Sequence, residues 1–276
     1  MRWQPAVIAV PLFLAAGFCG WVYAKGDGVL HHRYPLPASA ALPPASVAQG
    51  AHLAVIYGCT DCHGDDLRGR PFPHPDPFSS VTSANLTQKA KTYSDADFDR
   101  VIREGVTPEG YSVEFMPSNA FTHMSDAEAS AIISYIRSLP AGGPDTAEWR
   151  PGWKGYWRLG TGKFPPGHAF MADAKRLQPR DLGAATAAGR HLTAVACSEC
   201  HGADLTGQKG GPPDLVIAGA YDPADFRRLL RTGVAAGGRE LPMMSPTARK
   251  RFSHFTEDEV EAIRAYLVAR ANAPAP

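Results

Sequence analysis

An excess of charge of one sign is what this chain lacks. Its 28 lysines and arginines and 27 aspartates and glutamates leave a formal +1 over 276 residues. A balanced surface offers no field for gathering phosphates, so no nucleic-acid partner is expected. Strand signals are nearly missing too. The recurring pattern is instead apolar residues at i, i+3 and i+4, which predicts an all-α chain. Cysteine is scarce at five, and tryptophan is absent from residues 45–139 and 183–270. Proline (25) and glycine (27) are plentiful, which predicts long, punctuated loops around modest cores. The length suits two domains of about 80–100 residues better than one.

What cysteine there is, is concentrated. Cys59-Thr60-Asp61-Cys62-His63 and Cys197-Ser198-Glu199-Cys200-His201 repeat one pentapeptide 138 residues apart (197 minus 59), each followed by Gly-x-Asp-Leu-x-Gly. Cys-x-x-Cys-His is the attachment pattern of c-type haem. Two thiols one helical turn apart add to the two vinyl groups of one porphyrin, and the adjacent His lies beneath the ring with a nitrogen aimed at iron. Two covalently attached haems are therefore expected, on Cys59, Cys62 and His63 and on Cys197, Cys200 and His201. Their propionates would move the loaded protein to the acidic side. A zinc site would need all four thiols on one metal, and a redox dithiol would need a surrounding βαβ pattern. Neither suits cysteine pairs that sit in separate repeats.

The repeat extends beyond the pentapeptide. Gly50-Ala51-His52-Leu53 precedes the first motif as Gly189-Arg190-His191-Leu192 precedes the second. A middle helix is predicted from Ser94 to Gly105 and from Asp222 to Gly233, with polar N-caps, Pro223 in the first turn and glycine at each end. A last helix follows the capping boxes Ser125-x-x-Glu128 and Thr256-x-x-Glu259. Behind them Ile132, Tyr135 and Ile136 match Ile263, Tyr266 and Leu267 on one face. His52 and His191 read as structural, and His123 and His254 as local hydrogen-bonding residues near the last cap. For Arg103 and Arg231 two readings stand: a solvated face, or a haem-propionate contact or backbone clamp, which a guanidinium fork suits.

The ligand opposite each proximal His decides function, since an open site permits small-molecule chemistry and His/Met coordination favours electron transfer. Unit one offers Met116, followed by Pro117. Met124 sits against the Ser125 cap opposite Phe255 and reads as core. Unit two offers adjacent Met243 and Met244, which spacing alone does not separate.

Outside the units, an uncharged run from Trp3 to Ala24 follows Arg2. The 19 residues from Ala6 to Ala24 exceed the roughly 7–15 of a cleavable signal core and fit a membrane anchor of about 17–25. A signal peptide cleaved after Val22-Tyr23-Ala24 is the alternative, and Cys19 reads as a buried bystander. Either way the rest is exported. Residues 25–44 read as a proline-rich stalk, 45–139 and 183–270 as the two units, 140–182 as an irregular linker, and 271–276 as a tail. The linker's Trp149, Trp153 and Trp157 either pin it across the units or form a docking patch for a partner or the membrane interface.

These features resemble those of a dihaem class I cytochrome c, and are similar to the multihaem cytochrome subunits of periplasmic alcohol, aldehyde and gluconate dehydrogenases. The resemblance covers nearly all of residues 45–270. Asn85-Leu86-Thr87 and Met116-Pro117 follow the family pattern; unit two lacks Asn-Leu-Thr, and this chain has two motifs where such subunits often have three. The resemblance implies Met244, in Met244-Ser245, as the iron ligand of unit two beside Met116 in unit one. It also implies two tandem class I cytochrome c domains, which here follow the N-terminal hydrophobic helix expected from the uncharged run. The expected function is electron transfer, not catalysis, between a dehydrogenase or quinol-side donor and another cytochrome or an oxidase. The expected location is the bacterial inner membrane with the haem domains in the periplasm, or the periplasm itself if the leader is cleaved. A dihaem peroxidase with one exchangeable iron site is the alternative.

Overall fold

The computed structural model describes residues 4–39, 41–72 and 79–274. The first three residues of the expected anchor and the last two of the tail lie outside these. After α1 (Gln4–Leu30), unit one runs α2 (Val47–Ile56), α3 (Cys59–His63), β1 (Pro71–Phe72), β2 (Ser80–Thr82), α4 (Leu86–Lys89), α5 (Asp95–Asp99), α6 (Ser118–Phe121) and α7 (Asp126–Ser138). The connector holds β3 (Glu148–Arg150), α8 (Trp153–Gly160) and α9 (Met171–Arg176). Unit two runs α10 (Ala187–Ala196), α11 (Ser198–His201), α12 (Pro223–Thr232), β4 (Val234–Ala235), β5 (Arg239–Glu240), α13 (Met244–Lys250) and α14 (Glu257–Asn272). Helix dominates, and the strands are two or three residues long.

Each unit is closed by a crossing of its first and last helices, and glycine makes the crossing possible. A Cβ on Gly50 of α2 would lie 1.8 Å from the Ala131 carbonyl oxygen of α7. One on Gly189 of α10 would lie 1.9 Å from that of Ala262 on α14. The backbones therefore touch, and Ile132, Ile136, Ile263, Tyr266 and Leu267 are buried behind the contact. Both capping boxes form at the starts of α7 and α14. In the middle segment of unit one, α5 continues as a π-helical turn over Arg100–Glu104, where the sequence predicts plain α-helix, and ends at Gly105 with φ +64°. α12 is regular and ends at Gly233 with φ +76°.

Arg103 and Arg231 correct the solvated-face reading. Arg103 donates to Asp99 at 2.5 Å, to the Met124 carbonyl at 3.2 Å and to Asp126 at 2.7 Å. Arg231 donates to the carbonyls of Ser253 (2.8 Å) and Phe255 and to Glu257 at 2.7 Å. Both clamp the backbone just before the last helix of their unit.

The segments around the units are also less independent than their composition suggests. α1 takes in residues 25–30, and the segment after it is strapped along unit one, which corrects the stalk reading. Tyr34 N–H donates to Gly110 O at 2.7 Å, Arg100 to Pro37 O at 2.9 Å, and Ser130 to Pro43 O at 2.5 Å. The linker is structured as well. β3 adds to β2 in an antiparallel sheet of order β1-β2-β3, and Trp149 meets Phe115 and Phe164 edge-on or tilted at 5.1 and 5.5 Å. Trp153 on α8 is exposed, whereas Trp157 meets Phe18 of α1 at 5.7 Å. Among the described residues no helix is long and apolar enough to cross a membrane. Cys19, read as buried, is exposed.

Candidate haem sites

The two pentapeptides fold into similar turns that are entered differently: Gly58 breaks the chain before Cys59, whereas α10 runs up to Ala196 directly before Cys197. Gly58, the residue before Cys59, has φ +82°, a left-handed conformation that only glycine adopts freely. α3 and α11 are single helical turns, which put Cys59 above Cys62 and Cys197 above Cys200, and each ends at a glycine (Gly64 and Gly202). The next turn folds back on the motif. Gly69 N–H donates to His63 O and Gly207 N–H to His201 O, both at 2.8 Å. Leu67 and Leu205 are fully buried with φ of +55° and +65°, two non-glycine left-handed residues at matched positions.

These turns hold each histidine by one nitrogen. His63 Nδ1 donates to the Ala84 carbonyl at 2.8 Å, and His201 Nδ1 donates to the Pro213 carbonyl at 2.7 Å. That bond fixes the tautomer and leaves Nε2 with its lone pair, as an iron ligand requires. Burial pushes both imidazoles below the usual histidine range despite the carbonyl contacts, so both are neutral bases. Desolvation pushes the Cys59 and Cys197 thiols up to about 12, and raises Cys62 and Cys200 as well. A dithiol acting as a redox nucleophile needs the opposite shift. The donor set fits c-type haem in each unit: two thiols a turn apart and an adjacent neutral imidazole with a free Nε2. The alternative of one zinc held by four thiolates finds no such fit, because no group of three or more His, Cys, Asp or Glu among the described residues is placed to hold a metal ion.

Ala84 and Pro213 are functional residues that sequence reading missed. A signal was available: each stands immediately before a helix N-cap. Asn85 caps α4 by accepting from Thr87 and Gln88 N–H, and donates to the carbonyls of Gly142 (2.8 Å) and Pro144 (2.9 Å). Asp214 caps the turn Leu215–Ala220 and receives Arg270 at 2.6 Å. Leu86 N–H meets Leu67 O and Leu215 N–H meets Leu205 O in the same way. Asp214-Leu215-Val216 is thus the counterpart of Asn85-Leu86-Thr87, which unit two lacks by letter but not by structure.

The methionines differ in setting. Met116 is half-buried against the core, after Phe115 at φ +64°. Met124 is buried, as is Phe255 opposite it. Met244 opens α13 and packs against the core, whereas Met243 is 66% exposed. His123, expected to hydrogen-bond locally, buries its Nε2 without a partner.

The units meet through reciprocal pairs. His52 of α2 reaches Glu259 of α14 at 2.9 Å, and His191 of α10 reaches Glu128 of α7 at 2.8 Å. Each glutamate is also the residue that closes a capping box, so helix caps and unit contact share the same carboxylates. Tyr57 donates to Glu128 at 2.6 Å and has no counterpart in the second pair. Burial opposes ionisation of Glu128, but hydrogen bonds from His191 and Tyr57 outweigh it and hold the carboxyl at about 2. The same carboxylate raises His191 above the histidine range.

The sign follows for pH. Below 4.5 stability is lost as the pH falls toward the folded Glu128 value of about 2, and above 6.5 it is lost as the pH rises through the raised value of His191. The contact should therefore be strongest between those limits. The pair is partly exposed, so about 1 kcal/mol or less is expected from it. Denaturant midpoints of the holoprotein from pH 4 to 9 check this, and Glu128→Gln is expected to flatten the profile.

Comparison with protein families places both units. Residues 47–140 match the family described as cytochrome c, and residues 184–267 match the one described as cytochrome C oxidase, cbb3-type, subunit III. No curated protein matches the chain. Domains of these two kinds bind c-type haem and transfer electrons.

Proposed function

We propose that this chain, which carries a cytochrome c domain and a cbb3-type cytochrome c domain, is a two-haem electron relay held at the bacterial inner membrane by its N-terminal run. The observation that supports the relay is the duplicated Cys-x-x-Cys-His turn, with a backbone carbonyl fixing the histidine tautomer in each copy. Bound haem supplies one-electron exchange between ferric and ferrous iron. The chain supplies the rest. Cys59, Cys62, Cys197 and Cys200 would tether the rings, His63 and His201 would ligate iron through Nε2, and Met116 and Met244 would supply the further iron ligands. Leu67, Leu205 and the cores behind them keep water away, and the α2–α7 and α10–α14 crossings hold each site rigid.

The oxidase-subunit likeness of residues 184–267 and the resemblance to dehydrogenase cytochrome subunits together suggest the direction. Electrons enter from a dehydrogenase or quinol-side donor and leave to an oxidase-side acceptor. The domains lie in the periplasm, and the uncharged run up to Ala24 is the segment assigned as anchor, although no helix among the described residues is long and apolar enough to cross a membrane.

Carbon monoxide tests the relay. The ferrous holoprotein is expected to bind little on the timescale of minutes, because both irons already have six ligands. Rapid binding at one site, with turnover of hydrogen peroxide, would mean a peroxidase instead. N-terminal sequencing of the native, carbonate-washed membrane fraction tests the anchor; a start at Lys25 would remove it.

A further inference from the structure

The middle residues of the two pentapeptides are acidic, Asp61 in one and Glu199 in the other. They are equivalent positions, and the unit contact brings them to a single side chain. Arg251, the residue that closes α13, donates from Nε to Asp61 and from Nη1 to Glu199 at 2.8 Å. Two equivalent points that share one guanidinium lie beside the approximate two-fold relation between the units. Symmetry would place a second arginine opposite, but aligning Phe121 with Phe252 puts Ala120 there, and Ala120 is fully buried. One cation therefore serves both motifs.

The bridge is enclosed. Only 13% of the Arg251 side chain is exposed, against 18% for Asp61 and 33% for Glu199. Lys250 adds a second cation at 3.2 Å from Asp61, and Arg70 donates to the Asp61 carbonyl. The guanidinium lies against Gly58, where a Cβ would stand 2.3 Å from Arg251 Cζ. The glycine that starts the first haem turn thus also makes room for the bridge.

We propose that Arg251 is a positioning residue for electron transfer between the two haem sites, coupling α3 to α11 and balancing the charge of both motifs. The inference rests on the two-haem relay proposed above. A planar fork can hold two carboxylates in fixed directions at once, which an ammonium cannot. It keeps two partly enclosed anions from facing each other unpaired. Because electron transfer decays steeply with separation, a fixed spacing between the motifs fixes the rate. Because reduction potential responds to nearby charge, a shared cation acts on both irons.

The experiment compares wild-type, Arg251→Gln, Arg251→Lys and Glu199→Gln holoproteins. Pyridine haemochrome counts the haems, potentiometric titration gives both potentials, and pulse radiolysis gives the inter-haem rate. In Arg251→Gln both potentials are expected to fall, since Glu199 loses its ion pair and Asp61 keeps only Lys250, and added negative charge favours ferric iron. The inter-haem rate is expected to drop about ten-fold or more through loss of alignment. Arg251→Lys should restore the potentials more fully than the rate, a split that a merely stabilising residue would not produce. Glu199→Gln removes one arm without burying a new charge and should raise the potential of the unit-two site while slowing transfer, which keeps the idea testable if Arg251→Gln fails to mature. Potentials and rates within about two-fold of wild type in the variants that mature, in equilibrium-constant terms for the potentials, would overturn the assignment. A wild-type protein with fewer than two haems would instead overturn the relay itself, and the count made first distinguishes the two failures.

Discussion

Protein extracted with acid–acetone is expected to keep two haem masses on the polypeptide, because thioether bonds survive conditions that strip a ligated but untethered haem. Replacing Cys59 and Cys62 by Ala should leave one, replacing Cys197 and Cys200 should leave the other, and the quadruple variant should carry none. Intact-mass spectrometry reads each outcome directly. The expectation follows from geometry that both units share: a single helical turn, thiols pushed toward neutrality by burial, and a histidine held through Nδ1. Free thiols with a pKa of about 12 are poor metal ligands and poor redox groups, so they suit covalent capture better than either alternative. A count of one would mean that one of the two turns fails as an attachment site, and the relay would fail with it.

Most of what was legible in the sequence is local. The pentapeptides, the capping boxes of α7 and α14, and the glycines after the middle segments are signals a few residues long, and the structure forms them where they stand. What was not legible depends on segments far apart in the chain. His52 and His191 read as structural from their place on the helix before each motif, but nothing near either one names Glu259 or Glu128 as its partner. Those glutamates already had a role as caps, and a local window stops there. β3 was hidden in the same way: Glu148–Arg150 has no strand pattern of its own and becomes a strand because β2 offers it an edge. The Asp214 cap was missed for a different reason. Its letters differ from Asn85-Leu86-Thr87, although a carboxylate accepts N–H donors as an amide oxygen does.

Met116→Ala and Met244→Ala are each expected to remove the long-wavelength sulfur-to-iron band at one site and leave iron in a high-spin or His/water state. The affected potential should fall by on the order of 0.1 V, a fraction of the roughly 0.8 V span that axial ligands control. Met243→Ala should change neither site, since its side chain is 66% exposed whereas Met244 packs against the core. If Met243→Ala removes the band and Met244→Ala does not, the pair has been read in the wrong order. The two loops should also differ in how firmly they hold their methionine. Ser245, next to Met244, donates to the Gly233 carbonyl at 2.5 Å and accepts from Leu241 N–H at 2.7 Å, which ties the start of α13 to the end of α12. Met116 instead follows Phe115, a left-handed residue whose ring leans on Trp149 and Phe164 of the connector. The proposed unit-one ligand, Met116, thus depends on a segment outside its own unit. Trp149→Ala should weaken the Met116 band and spare the other, a one-sided loss that oxidised spectra of the variant, set beside Met116→Ala, can resolve.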